Sequence, residues 1–239
     1  MSNRIPFVID NDLWHVLKSI LKQNEGKALD IATRYFDLGG WDALADNILK
    51  MSSSRLLLGV EPEAGSDLGL REWRARLGRG PAPYFNEHVR QLTAKTIAFL
   101  SEERVQVRLH TKGVLNAKYY LVYSGNFFEH YSPIVAIVGS SDFTYDGLFS
   151  SNELNLACRP NLLAEEVVRE RWRGCGMGQE ELATLARLSS EERVIAANVP
   201  GEMAINDLAT SYEHRWEASR DFKKELIKLF QDVPFIVES

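Results

Sequence analysis

The sequence predicts an α/β protein, and two observations carry that expectation. Short runs rich in β-branched, aromatic and other apolar residues recur at 28–36, 55–60, 105–109, 115–123, 134–140 and 153–158. Their length and composition are those of strands. Several are separated by segments whose apolar residues recur every three or four positions, the spacing of an amphipathic helix. Strands interleaved with helices bury both faces of a mixed sheet. There is no internal repeat or low-complexity tract, so the expectation is one domain: a core over 1–160 and a helical extension over 161–239 packed on it.

Each element has its own signal. Leu13, Val16, Leu17, Ile20 and Leu21 share one helical face within 11–25, and Gly26 is placed to end it. Residues 28–36 read as a strand, and Gly39-Gly40 as a turn into a second helix ending near Met51. After the strand at 55–60, residues 61–84 are rich in Gly, Pro and Arg and read as a long loop carrying a short helix at 70–77. Helical spacing returns over 85–100, followed by three strands, with 124–133 as a hairpin tip between the second and third. Beyond the last strand, helices are expected near 165–173, 180–188 and 205–230. Gly174 to Gly178 is the weakest point in the chain.

With 239 residues, 45% hydrophobic and 26% charged, the composition is that of an ordinary globular chain rather than a disordered one. No apolar run approaches the roughly 18 to 20 residues of a membrane span. The start, Met1 to Pro6, lacks a basic segment followed by an apolar one, so a cytoplasmic location is expected. Cys158 and Cys175 lack metal-site spacing and read as reduced thiols. A net charge of -5 argues against indiscriminate coating by nucleic acid, yet the charges are clustered. Arg71, Arg74, Arg76 and Arg79 fall close together, whereas acidic residues gather at Glu61, Glu63 and Asp67 and at Glu165, Glu166, Glu180 and Glu181.

The chemistry-bearing residues lie between 115 and 156. Leu115-Asn116-Ala117-Lys118 opens one predicted strand, Gly139-Ser140-Ser141-Asp142-Phe143-Thr144 ends the next, and Glu153 follows Asp142 by eleven residues within Asn152-Glu153-Leu154-Asn155. This order resembles the catalytic motif of the phospholipase D superfamily, in which His-x-Lys begins one strand, Gly-Ser-x-Asn ends the next, and a Glu follows. The resemblance implies a phospholipase D-like mixed sheet flanked by helices, with 1–160 as its catalytic core. It also implies phosphodiester cleavage through a phosphohistidine, with neither metal nor cofactor. Lys118 matches the lysine that contacts a phosphate oxygen, Ser140 the serine that helps bind the anion, and Glu153 the carboxylate that orients an imidazole. Tyr123 stands at the position of an aspartate that follows the lysine. Two copies of the motif make one site and this chain carries one, so the resemblance implies a homodimer.

Two further residues depart from the pattern, both at positions that bear on the chemistry. Asp142 stands where the family has Asn, replacing a neutral donor by a carboxylate facing phosphate. Asn116 stands at the nucleophilic His position, and an amide cannot form a phosphohistidine. The expectation is a phosphodiesterase scaffold that does not cut as written; the alternative is a degenerate member that binds DNA or assembles a complex without catalysis. A literal His-x-Lys occurs at His110-Thr111-Lys112, but Gly113 follows it where the motif continues into a strand. His130 lies on the hairpin tip, and His15, His88 and His214 sit in helical patterns.

The strand at 28–36 with its Gly-Gly-Trp turn, and the stretch from Trp216 to Leu226, resemble phospholipase D-like nuclease domains found with bacterial helicases and restriction or defence systems. Those relatives imply DNA as substrate and helicase, ATPase or other defence-system subunits as partners. The chain has no phosphate-loop signature of its own, and no apolar segment that would favour a lipid substrate or membrane. Arg71, Arg74, Arg76 and Arg79 become candidates for contacts to the DNA backbone, with surface ion pairing as the competing role. Trp41, Trp73, Tyr84, Phe127, Phe128 and Tyr131 are expected mainly to pack, with a few free to stack on bases.

Overall fold

The computed structural model describes residues 8–9, 12–60, 68–77, 82–116, 118–125, 133–149, 153–158 and 200–233. In chain order the elements are β1 (Val8–Ile9), α1 (Leu13–Gln23), β2 (Ala28–Thr33), α2 (Leu38–Ile48), β3 (Ser53–Leu58), α3 (Leu70–Leu77), α4 (Ala82–Ser101) and β4 (Val105–Leu109). They continue with β5 (Lys118–Tyr123), β6 (Pro133–Gly139), α5 (Tyr145–Phe149), β7 (Asn155–Cys158), α6 (Pro200–Glu217), β8 (Arg220–Asp221) and α7 (Lys223–Gln231). The fold is α/β: among the described residues, a mixed, open sheet of eight strands in the order β1-β7-β6-β5-β2-β3-β4-β8, flanked by helices. Strands β2, β3 and β4 run parallel, and every other pairing is antiparallel.

Alternation along the strands sends side chains to two cores. In β2, Leu29 and Ile31 join the larger core with α1, α2, α4 and α7, whereas Ala28 and Ala32 face the smaller one under α6. Ala28, Ala32 and Ala136 leave the room that Tyr212 and Trp216 of α6 fill. Gly39 and Gly40 do not form the expected turn. They lie in the first turn of α2, where a Cβ on Gly40 would come within 2.8 Å of the Phe143–Thr144 backbone and one on Gly39 within 3.0 Å of Trp73. Close approach, not a reversal of the chain, is what requires glycine there.

The single helix expected over 205–230 is two helices. Tyr212 and Trp216 are helically spaced, as are Phe222, Leu226 and Phe230, but the two sets are out of phase by six residues. Between them Arg220 and Asp221 pair with Leu109 and Arg108 at the sheet edge, and the Phe222 N–H donates to the Val107 carbonyl at 3.0 Å. The chain there crosses from one face of the sheet to the other, which a continuous helix could not do. The helices expected near 165–173 and 180–188, most of the 124–133 hairpin tip, Gly174 to Gly178 and Cys175 lie outside the described residues. No helix among the described residues is long and apolar enough to cross a membrane.

A charged cluster holds α6 to the smaller core. Arg55 on β3, 7% exposed, donates from Nε to Asp30 Oδ1 on β2 at 2.7 Å and from Nη2 to Asp30 Oδ2 at 2.5 Å. Its other side pairs with Glu213 of α6, and its guanidinium lies 5.1 Å from each of the Tyr212 and Trp216 ring centroids. Burial pushes the Asp30 carboxyl up against the opposing pull of Arg55. Burial also works to lower the Arg55 guanidinium, but bonds from Asp30 and Glu213 outweigh it and keep the group charged.

Candidate functional site

Sheet register brings the motif residues to one end of three adjacent strands. Lys118, the first residue of β5, is paired with Gly139 at the end of β6, and Gly139 is paired with Asn155 at the start of β7. A Cβ on Gly139 would overlap Asn155, so the row closes only with glycine at its centre. Asn116, Lys118, Ser140, Asp142 and Glu153 therefore come from the start of one strand, the end of the next and the start of a third. They gather where β2 also ends.

Asp142 does not present a bare carboxylate. Its Oδ1 accepts the main-chain N–H of Arg34 at 2.8 Å and of Tyr35 at 3.0 Å, and the Thr33 hydroxyl lies 3.1 Å away. Thr33 Oγ1 shares its proton between that oxygen and the Tyr35 carbonyl at 2.6 Å, and accepts the Phe143 N–H at 2.8 Å. The second Asp142 oxygen lies 3.6 Å from Lys118 Nζ, with only 13% of the Lys118 side chain and 17% of that of Asp142 exposed. The carboxylate thus anchors the β6–α5 connection to the end of β2 and neutralises the lysine of the motif. One side chain serves both purposes because it has two oxygens.

Ser140 is exposed, but its hydroxyl accepts the Leu154 N–H at 3.0 Å and lies 3.4 Å from the Leu154 carbonyl. It pins the segment that carries Glu153. Ser141, fully buried, accepts from Asn155 Nδ2 at 2.8 Å, while Asn155 Oδ1 is buried with no hydrogen-bond partner among the described residues. Asp142 and Glu153 share an electrostatic neighbour in Tyr120, whose hydroxyl is raised well above its ordinary range by burial first and by those two carboxylates second. Asn116 is exposed and its Oδ1 lies 3.4 Å from Arg34 Nη1.

A second stitch runs beside the first. Asp37 caps α2 by accepting the Gly40 N–H at 2.7 Å, and accepts the Tyr145 N–H at 2.9 Å, while its own N–H donates to the Phe143 carbonyl at 3.3 Å. Burial pushes the Asp37 carboxyl up to about 6, although the main-chain donors of Gly40 and Tyr145 pull the other way. The loops after β2 and β6 are therefore laced together by two carboxylates, Asp142 and Asp37.

The other sequence candidates sit elsewhere. His110 follows β4 directly, with Nδ1 3.3 Å from Ser219 Oγ, and β3 and β2 separate that strand from β5. At about 4.8 Å per strand that is roughly 14 Å from the Lys118 strand. Arg74 stacks on Phe85 at 5.6 Å and Arg76 pairs with Asp146, so both bind the α3 surface to its own chain; Arg71 is exposed on the same helix. Trp41 and Trp73 are buried and Tyr84 is 75% exposed. Arg79, His130, Phe127, Phe128 and Tyr131 lie outside the described residues. Sequence reasoning missed Arg34, Thr33, Asp37 and Asn155. The only signal for Arg34 was a charge inside an apolar run, which reads as an edge or strand-end residue. No family model matches the chain, and no curated protein matches it.

Proposed function

We propose that the chain is a phospholipase D-like, metal-independent phosphodiesterase scaffold that acts on DNA as a homodimer in a restriction or defence setting, with Asn116 in place of the nucleophile. The observation that supports this reading most is the row Lys118–Gly139–Asn155, which gathers the five motif residues from β5, β6 and β7 at one end of the sheet. In that reading Lys118 holds a nonbridging oxygen, Ser140 fixes the loop that offers main-chain donors, and Glu153 orients an imidazole. The pairing of two chains supplies the second half-site. Helicase or other ATPase subunits would bring the DNA, and a cytoplasmic location accords with such partners.

A non-catalytic, DNA-binding reading has one observation in its favour. Asn116 is hydrogen-bonded to Arg34 and Lys118 is paired with Asp142, an arrangement able to hold an anion but without a titrating nucleophile. The two readings part in one assay: nuclease activity on single- and double-stranded DNA in excess EDTA, for the chain as it stands and for Asn116→His. Cleavage gained only by the histidine variant supports the catalytic scaffold. Silence from both, with DNA still bound, supports the binding subunit. A strictly monomeric protein in solution would remove the two-half-site mechanism.

A further inference from the structure

We infer that Arg34 and Tyr35, at the end of β2, form a nucleotide-gripping pair. The Arg34 guanidinium takes a phosphate of a single-stranded DNA segment, and the Tyr35 ring takes the adjoining unpaired base. This inference deepens the DNA reading above and rests on it.

The argument begins with charge. The cation that the motif assigns to phosphate, Lys118, already faces Asp142 at 3.6 Å, so an incoming phosphodiester meets an ion pair of little net charge. Arg34 lies beside that pair, and among the described residues it has no carboxylate partner. Its Nη1 makes one long contact, 3.4 Å, with the neutral amide oxygen of Asn116, and its Nε is buried with no hydrogen-bond partner among the described residues. The buried Nε faces away from solvent, so the edge offered to a phosphate is the one that carries the terminal Nη nitrogens, whose planar pair suits two oxygens of one phosphate. Moving the exposed Asn116 side chain aside would bring the fork to the ligand, and a charged acceptor binds it more strongly than an amide does.

The backbone beneath is fixed. The Arg34 N–H donates to Asp142 Oδ1 at 2.8 Å and its carbonyl accepts the Val60 N–H at 3.1 Å, so the side chain is carried on a rigid strand end. Tyr35 is 46% exposed with the guanidinium 5.0 Å from its ring centroid. An exposed aromatic ring beside a cation offers a base a stacking surface and its phosphate a counter-charge. The faces of paired bases are covered within a duplex, so a ring that takes a base selects unpaired strands.

The test is fluorescence anisotropy of a labelled single-stranded oligonucleotide and of its duplex, titrated over a range of salt, with the full chain. Arg34→Ala is expected to weaken single-strand binding by about tenfold or more. It should also make the slope of log K against log salt shallower by about 0.7, the signature of one lost phosphate contact. Arg34→Lys should fall between. Tyr35→Ala should weaken single-strand but not duplex binding, and Tyr35→Phe should retain it. Asp142 holds only main-chain atoms of these two residues, so the variants should melt like the parent. Unchanged affinity and salt slope in Arg34→Ala, with binding lost in Lys118→Ala, overturns the inference and leaves the proposed function standing. Equal losses on single strands and duplex in Tyr35→Ala overturn the stacking half. A parent chain that binds neither DNA overturns the function and this inference together.

Discussion

Two carboxylate–cation clusters sit on the same sheet and do opposite things. Arg55, Asp30 and Glu213 lie on the smaller core, where two carboxylates and two aromatic rings surround one guanidinium. Lys118, Asp142, Arg34 and Asn116 lie at the strand ends, where one carboxylate serves one ammonium and a neighbouring guanidinium keeps an unsatisfied donor. The first cluster is closed: its one guanidinium is held inside the protein by two carboxylates, so its energy goes into folding. The second is open, and an open cluster of cations is what an anion can complete. A buried charge costs several kcal/mol if left unpaired, so complete pairing marks structure and incomplete pairing at a surface marks a site.

The comparison breaks most decisively at Arg55. Arg55→Ala leaves Asp30 buried without its partner and should cost about 3–5 kcal/mol of stability in urea unfolding. Glu213→Gln should cost no more than about 1 kcal/mol, because the Glu213 side chain is 41% exposed and water screens its pairing. Next comes Asp142→Ala, which strips the acceptor from two main-chain N–H groups and should cost about 1–3 kcal/mol. If Arg55→Ala proves milder than Asp142→Ala, the closed cluster is not the structural one and the contrast fails.

Asp142→Asn sharpens the contrast from the other side. Its amide oxygen can still receive the Arg34 and Tyr35 N–H groups, so stability should change by less than about 1.5 kcal/mol. Lys118 loses its counter-charge, however, and DNA affinity should rise several-fold with a steeper salt dependence. Equal or weaker binding would show that the Lys118–Asp142 pair does not limit anion binding.

The narrowest effect expected, confined to one pH window, belongs to Asp37. Its folded pKa of about 6 lies above the ordinary unfolded value near 3.9, so between those values the folded state holds more protons. The contribution of Asp37 to stability is therefore full below about pH 4 and lost as pH rises through about 6. Relative to Asp37→Asn, the parent should lose about 1–2 kcal/mol over that window, after allowance for partial exposure, and nothing more above it. A relative gain across the same window would mean that the Gly40 and Tyr145 N–H groups outweigh burial.

Local pattern made much of the architecture readable. The strand 105–109 has its expected ends, and the other five expected strands lie within a few residues of theirs, because short apolar runs bounded by turns admit few other conformations; β1 and β8, two residues each, carry no such run and are strands only through their pairing with β7 and β4. The break between α6 and α7 was not readable, because Tyr212, Trp216, Phe222, Leu226 and Phe230 are helically spaced within each half, and only the pairing of β8 with β4 interrupts them. At the site, residue type and spacing singled out Asn116, Lys118, Ser140, Asp142 and Glu153 only through the resemblance to a known motif. They could not show that Asp142 spends one oxygen on the end of β2, because its donors lie more than 100 residues earlier in the chain. Arg34 escaped notice for the same reason.

The sequence by itself determined the α/β class, the order of most elements and the motif, since periodicity, turn residues and spacing are local properties of a chain. Only the tertiary structure decided which charges are fully paired and which are not. Arg55 reads as a strand-end cation and is sealed between two carboxylates; Arg34 reads the same way and keeps an unsatisfied donor. What separates them is the company that distant segments bring, and electrostatic energy depends on distance in space, to which position along the chain is blind.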